Sequence, residues 1–288
     1  MVNQIAAAES IPSPERGDEL GTIELFLLLE ALVRWTGYDF RDYAPSALKR
    51  RVYERMRSED VATISALQDR ILHDNDAMKR LVFALSNTYN RLLQPPDFFR
   101  ALRESVIPLL RTYSFVRIWF PACGTGEDVY AVASMLFEAG MIDRCMIYAT
   151  DLSEMALARA REGTFGINSP ADFSTDYAAS GGTESVNRFC ALDAHAVHFN
   201  DILKKNIIFA EHSLATDASL NEFQAIVARG VLPPLNMSLQ YRVHNLFLQS
   251  LSRLGFLCLG NLESLHATPH EGAFRQVDPT FPIYRRMR

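Results

Sequence analysis

The stretch Trp119-Phe-Pro-Ala-Cys-Gly-Thr-Gly-Glu-Asp-Val-Tyr130 runs from an apolar segment, through a turn with Gly124 and Gly126, into a helical pattern. A second apolar segment, Ile147-Tyr-Ala-Thr-Asp-Leu152, ends in the acid Asp151. Glycine lets the backbone approach a ligand closely, and an acid at the end of the next strand can accept hydrogen bonds from ribose hydroxyls. The two segments therefore predict a ribose-bearing ligand, although a glycine turn alone is expected in any doubly wound sheet.

From Val116 onward, strand and helix patterns alternate, which predicts a mostly parallel sheet covered on both faces. The predicted strands span 116–120, 145–149, 207–211, 225–228 and 255–259, and the predicted helices span 128–139, 154–162 and 237–251. The least regular stretch, 163–206, is predicted to supply lids or inserts beside the site.

The first hundred residues carry helical periodicity instead. Helices are predicted over 22–37, 45–57, 64–73 and 76–85, and a further helix over 97–110 leads into the second part. Pro95-Pro96 interrupts the pattern, because proline lacks the amide donor and restricts the residue before it. The predicted organisation is a flexible leader over 1–21, a helical N-terminal domain over 22–94 and an α/β domain over 95–288.

Composition narrows the class of protein. The formal net charge of −5 over 288 residues does not favour nucleic-acid binding. The four cysteines are widely spaced without a CxxC pair, so neither a metal site nor a disulfide framework is predicted. No apolar stretch reaches about 18 residues, and the N-terminus does not read as a signal peptide. We therefore expect a cytoplasmic protein without membrane insertion.

The glycine turn also indicates the charge of its ligand. Glu127-Asp128 stands where a Walker loop has Lys-Ser or Lys-Thr, so a triphosphate site is not predicted. Acidic side chains at a helix start repel phosphate and suit a cation. S-adenosyl-L-methionine carries a sulfonium and an ammonium group, which makes Glu127 a suitable partner for it.

Further segments share one resemblance with the turn. They are Tyr38-Asp-Phe with Leu48-Lys-Arg-Arg51, Tyr148-Ala-Thr-Asp151, Ala160-Arg-Glu-Gly163, Asn206-Ile-Ile-Phe209, Phe223-Gln-Ala-Ile-Val-Ala-Arg-Gly-Val-Leu232, and Leu257-Cys-Leu-Gly260 with Glu263-Ser264. In the same order, they resemble the CheR-type chemotaxis receptor methyltransferases. The resemblance implies an α/β fold: an N-terminal helical domain followed by a Rossmann-like S-adenosylmethionine-dependent methyltransferase domain. It also implies methyl transfer to glutamate carboxylates of receptor-type signalling proteins, with S-adenosyl-L-methionine or S-adenosyl-L-homocysteine as the ligand.

The resemblance carries a set of site residues. The residues expected to bind the cofactor are Ala122, Gly124, Gly126, Glu127, Asp151, Leu152, Ser213, Leu214, Arg229, Thr88 and Asn90. No catalytic residue is assigned, and the candidates are Arg229, Arg100 and Gln94. An acidic receptor helix is the expected partner of Arg50, Arg51 and Arg55, although these arginines also fit a solvated charged face.

Departures from the family pattern fall on this site. Gln94 stands at the position of a family arginine, and a two-residue shift would instead bring Asn87 or Arg91 nearby. Gly230 replaces an asparagine, and Pro233-Pro234 replaces an Ile-Tyr pair. Losing one charge-assisted hydrogen bond costs about 1.5–3 kcal/mol, so several losses could abolish turnover unless neighbours compensate. Two hypotheses follow: a methyltransferase with a rearranged pocket, or an inactive CheR-like regulatory module, whose pocket could also take a different nucleotide-like ligand.

Overall fold

The computed structural model describes residues 14–86, 91–220 and 222–288. Its first part is a domain of four helices that share an apolar core, which includes Leu28, Leu67 and Leu81. The helices are α1 (Pro14–Thr36), α2 (Pro45–Ser58), α3 (Ile64–His73) and α4 (Asn75–Ser86). The predicted helical N-terminal domain is confirmed.

The start of α1 corrects the predicted leader. The helix begins at Pro14, whereas the sequence predicted a flexible leader up to residue 21. Proline suits the first helical position, because the N–H that it lacks would have no partner there and its fixed φ is already helical. Residues 1–13 of the predicted leader lie outside the described residues.

The second part alternates strands and helices, as predicted. The helices are α5 (Pro96–Ser105), α6 (Ile107–Leu110), α7 (Glu127–Glu138), α8 (Glu154–Glu162), α9 (Pro170–Ala179), α10 (Asp201–Lys204) and α11 (Met237–Ser250). The strands are β1 (Val116–Pro121), β2 (Cys145–Asp151), β3 (Thr164–Gly166), β4 (Cys190–Leu192), β5 (Ala196–Phe199), β6 (Ile207–Glu211), β7 (Phe223–Ala228), β8 (Leu251–Leu259), β9 (Phe274–Gln276) and β10 (Ile283–Arg286). The helix predicted over 97–110 is divided at Val106 into α5 and α6.

The larger sheet has the order β6-β2-β1-β7-β8-β10-β9. Its first five strands are parallel, and β10 runs antiparallel to both of its neighbours. In β1, Ile118 and Phe120 join one core cluster and Trp119 joins the other, so both faces are covered. The chain leaves β1 for β2 on one side and later reaches β7 on the other. Ligands of open α/β sheets bind at such a reversal, beside the carboxyl ends of the strands.

The stretch 163–206 contains a second sheet, of order β3-β5-β4, together with α9. Its strands have three or four residues, which is too short for a period of two to be recognised in the sequence. Tyr130 of α7 stacks on Phe199 of this sheet, with ring centroids 4.9 Å apart. The insert is therefore packed against the helix that follows the glycine turn.

The helical domain is joined to the sheet domain by backbone hydrogen bonds. The amide of Ala44 donates to the carbonyl of Pro234 over 2.7 Å, and the amide of Asn236 donates to the carbonyl of Asp42 over 2.8 Å. The Pro233-Pro234 segment thus takes part in the contact between the domains. Within the described residues, no helix combines the length and apolar character needed to cross a bilayer.

Candidate functional site

The turn between β1 and α7 is narrow and includes a left-handed backbone conformation that glycine adopts readily. Gly126 has φ +96°, and a Cβ placed there would lie 3.0 Å from the Cβ of Ala160 in α8. Any larger residue would push α8 away and would adopt a disfavoured left-handed conformation. Ala122 also has a positive φ, of +47°. Gly126 therefore allows the close approach of α8 to the turn.

Asp151 is buried at the end of β2 and holds this turn. Its Oδ2 accepts from the amide of Gly124 and its Oδ1 from the amide of Ser153, both over 2.9 Å. Burial raises the pKa of the Asp151 carboxyl, and these backbone donors oppose the rise. The amide of Leu152 is a further donor to this carboxylate, so at least three of its about four acceptor sites are engaged within the protein. Asp151 therefore organises the glycine turn and has about one acceptor site left for a ribose hydroxyl.

A cavity of about 490 Å³ opens beside the turn, within the size range of cofactor sites. Glu127 lies on its wall and accepts a hydrogen bond from the Thr125 hydroxyl over 2.6 Å. Burial raises the pKa of the Glu127 carboxyl, while the bond from Thr125 opposes the rise. A cation in the cavity would stabilise the ionised form of Glu127.

Most of the cavity wall consists of residues that the family resemblance did not indicate. The lining residues are Arg91, Leu92, Gln94, Thr125, Glu127, Arg159, Glu162, Thr164, Phe165, Gly166, Ile167, Asn168, Asp172, Phe173 and Asp176. Glu162 ends α8, and those from 164 onward belong to the insert, in the stretch 163–206 that was predicted to flank the site. Only the irregularity of that stretch indicated them, because their approach to the turn depends on tertiary packing.

Arg229, at the end of β7, is buried and fully engaged. Its guanidinium donates to Asp128 Oδ1 over 2.7 Å and to the carbonyl of Gln94 over 2.6 Å. It also lies over the rings of Phe98 and Phe99, 4.6 and 5.0 Å from their centroids. Burial raises the pKa of Asp128 to about 6, against the lowering effect of Arg229. These contacts make Arg229 a link between β7, α7 and α5.

The other two catalytic candidates differ in position. Gln94 lies on the cavity wall. Arg100 donates twice to the carbonyl of Ala179 at the end of α9 and pairs with Asp97, so it holds the insert. Arg91 is also on the wall, and no acceptor in the described part of the chain is paired with its guanidinium. Arg91 is one of the residues that a two-residue shift of the alignment with the family brings to the site.

Several predicted cofactor residues lie at the same edge of the sheet but off the cavity wall. Leu152 packs against the core of the helical domain, and Leu214 is buried beyond β6. The amide of Ser213 donates to Asp217 Oδ2 over 2.8 Å. Thr88 and Asn90 lie outside the described residues.

Glu263 fixes the loop that departs most from the family pattern. Its two carboxylate oxygens accept from the amides of Gly230, Leu232 and Gly260 over 2.6–2.8 Å. The side chain is buried, and burial raises its pKa against the effect of these donors. Spacing alone could not show this role, because Glu263 lies more than thirty residues from Gly230.

The basic helix α2 is less free than the sequence suggested. Arg55 pairs with the buried Glu59 over 3.2 Å, and Arg51 donates to the carbonyl of Leu85. Arg50 remains largely exposed, with a 3.9 Å contact to Glu54. Of the three arginines predicted to meet an acidic partner, Arg50 is the most accessible.

The site residues fit a cationic, ribose-bearing cofactor. Glu127 presents a carboxylate to the cavity, and the glycine turn lies beside it with Asp151 bonded to its Gly124 amide. These are the groups that would hold the ribose and ammonium parts of S-adenosyl-L-methionine.

Comparison with known proteins gives the same indication. A family model described as "CheR methyltransferase, SAM binding domain" matches residues 90–281, and one described as "CheR methyltransferase, all-alpha domain" matches residues 23–86. A Pseudomonas putida protein named as a methyltransferase, Cher3, is 36% identical over 92% of this chain and 97% of its own length. A chemotaxis protein methyltransferase of Listeria monocytogenes is 24% identical over 80% of this chain and 85% of its own. A Geobacter sulfurreducens SAM-dependent methyltransferase structure with S-adenosyl-L-homocysteine is 15% identical over 69% of this chain and 58% of its own, but its TM-score of 0.35 supports no inference.

Proposed function

This chain belongs to the CheR methyltransferase family, its cofactor is S-adenosyl-L-methionine, and on that basis we propose that it methylates glutamate carboxylates of a receptor-type signalling protein. The proposal rests on one observation above all: Glu127 and Arg91 lie on the wall of the same cavity. A carboxylate and a guanidinium there can hold, respectively, a cationic cofactor and an anionic acceptor group. In this proposal, the methylated glutamates lie on cytoplasmic helices of the receptor.

The bound cofactor supplies a methyl group on a sulfonium, which is a good leaving centre. The protein's part is to bind and orient the acceptor carboxylate, and positioning of this kind lowers the barrier strongly. Arg91 and Arg159 are the cationic side chains on the wall. The four wall carboxylates, Glu127, Glu162, Asp172 and Asp176, favour cations. Since a methyl ester is uncharged, the product would lose its attraction to Arg91, which favours release.

The first test is Arg91→Gln, with Arg253→Gln as the matched control on an exposed arginine of β8. We expect Arg91→Gln to raise KM for the acceptor protein or lower kcat by roughly ten- to hundredfold, the effect of one charge-assisted contact. Transfer of a labelled methyl group measures activity, and isothermal titration measures cofactor binding, which should be unchanged. Equal activity of the two variants would contradict the role of Arg91.

A second function, that of a binding module without turnover, is favoured by a different observation. Arg229 and Arg100 are engaged in contacts that link elements of the fold, so neither is available to an acceptor. Calorimetric binding of S-adenosyl-L-methionine, without labelled transfer to any co-encoded receptor, would support this function and exclude the first. Transfer that Asp151→Ala abolishes would exclude the binding module.

A further inference from the structure

Helix α1 has two apolar faces. Its inward face, with Leu25, Leu28 and Leu32, packs into the core of the helical domain. On the opposite side, Leu20 and Ile23 are each 57% exposed, and Leu27 is 49% exposed. Phe26 and Trp35 flank them and are also largely exposed. Large apolar side chains gathered on one exposed face mark an interaction surface rather than ordinary scatter.

The outward face forms a stripe that is complementary to itself. It consists of Leu20, Ile23, Leu27, Ala31 and Arg34, which recur at the spacing of three and four residues that gives one side of a helix. If two copies run antiparallel with Leu27 on the two-fold axis, Ile23 meets Ala31 and Leu20 meets the stem of Arg34. The large side chain of Ile23 therefore faces the small Ala31, which lets the two helices approach closely.

The charges at the ends of the stripe also favour an antiparallel pair of α1 helices. Glu19 stands at one end of the stripe and Arg34 at the other, so an antiparallel pair brings opposite charges together at both ends. A parallel pair would place Glu19 beside Glu19 and Arg34 beside Arg34. Arg34 is 78% exposed, and its one partner among the described residues is Glu30, in an i,i+4 pair that contributes little. It can therefore reach the second copy.

We propose that the chain forms a two-fold symmetric dimer through antiparallel pairing of its α1 helices. An isologous interface of this kind uses the same patch on both subunits. The occupant of the exposed stripe is thus a second copy of the chain, and the proposal does not depend on whether the protein transfers methyl groups.

Sedimentation velocity of the full chain over a range of concentrations tests the proposal. Leu27→Glu should weaken dimerisation by about 100-fold or more, because it places two charges at the centre of the interface. The matched control is Leu262→Glu, whose position is 91% exposed and far from α1 in the sequence; it should change the dimer constant less than about threefold. Circular dichroism checks that both variants remain folded.

Direction is tested by charge reversal and cross-linking. Glu19→Arg and Arg34→Glu should each weaken the dimer, and the double variant should restore it. Leu27→Cys should form a disulfide-linked dimer on mild oxidation, whereas Leu109→Cys should not. The native cysteines are buried or half-buried. A monomer at all concentrations, a dimer insensitive to Leu27→Glu, or no rescue by the double variant would overturn the proposal.

Discussion

The variant Arg229→Met tests whether the Arg229 side chain, at the end of β7, stabilises the fold or takes part in the reaction. The substitution removes the guanidinium that pairs with the buried Asp128 carboxyl, and removing one partner of a buried ion pair costs about 3–5 kcal/mol. Two cation–ring contacts are lost as well, at roughly 0.5–1 kcal/mol each. We therefore expect the free energy of unfolding to fall by about 4–7 kcal/mol, measured by urea denaturation with an unchanged m-value.

The loss should depend on pH in a defined direction. The folded pKa of Asp128, about 6, lies above its ordinary value of 3.8, so its contribution to stability is fully present below 3.8 and is lost as pH rises through 6. Without Arg229 this pKa should rise further, so Arg229→Met should lose more stability at pH 8 than at pH 5. Adding Asp128→Asn should recover at least about 1 kcal/mol at pH 8, because an amide is buried more cheaply than a charge.

Arg100→Met is the matched control, since Arg100 is 45% exposed and its partner Asp97 is 64% exposed. We expect it to cost about 1 kcal/mol. If Arg229→Met cost no more than this control while abolishing labelled methyl transfer, Arg229 would be a catalytic residue, and its role as a structural link between β7, α7 and α5 would be refuted.

Three further outcomes are expected. Glu263→Gln should destabilise the protein by about 3 kcal/mol, because the glutamine NH2 group would face a backbone N–H that now donates to the carboxylate. The same change at the exposed Glu104 should have no measurable effect on unfolding in urea. Gly126→Ala should lower the free energy of unfolding by more than about 1–2 kcal/mol in urea, since strain at positive φ adds to a contact with Ala160; Gly140→Ala, also at positive φ but in open space, should cost less. His244 is buried and its ring nitrogens lack partners among the described residues, so burial, then the charge of His270, lowers its pKa to about 4. The stability that neutral His244 contributes is complete above pH 6.5 and is lost as pH falls toward 4, by up to about 3 kcal/mol. His244→Leu should remove this acid sensitivity from thermal unfolding curves. If the variant lost the same stability at low pH, His244 would not be its source.

Several elements were predictable from local pattern. Helix α3 and strand β6 have the predicted bounds, because periodicity and flanking turn residues mark both of their ends. The insert could not be resolved in the same way, since β3, β4 and β5 are stabilised by pairing with one another and by stacking on Tyr130. The early start of α1 was missed because its first residues lie in a segment rich in Ser, Pro and Gly.

By itself, the sequence determined the family, the α/β architecture and the class of cofactor. Gly124, Gly126, Glu127 and Asp151 carry that information because the chemistry of a turn and a strand end is local. Only the tertiary structure decided what the neighbouring groups do. Arg229 is drawn into a buried pair, Glu263 closes a loop more than thirty residues away, and Arg91 is left facing the cavity. Whether a charged side chain acts on a ligand or on the fold depends on which partners packing brings within hydrogen-bonding distance.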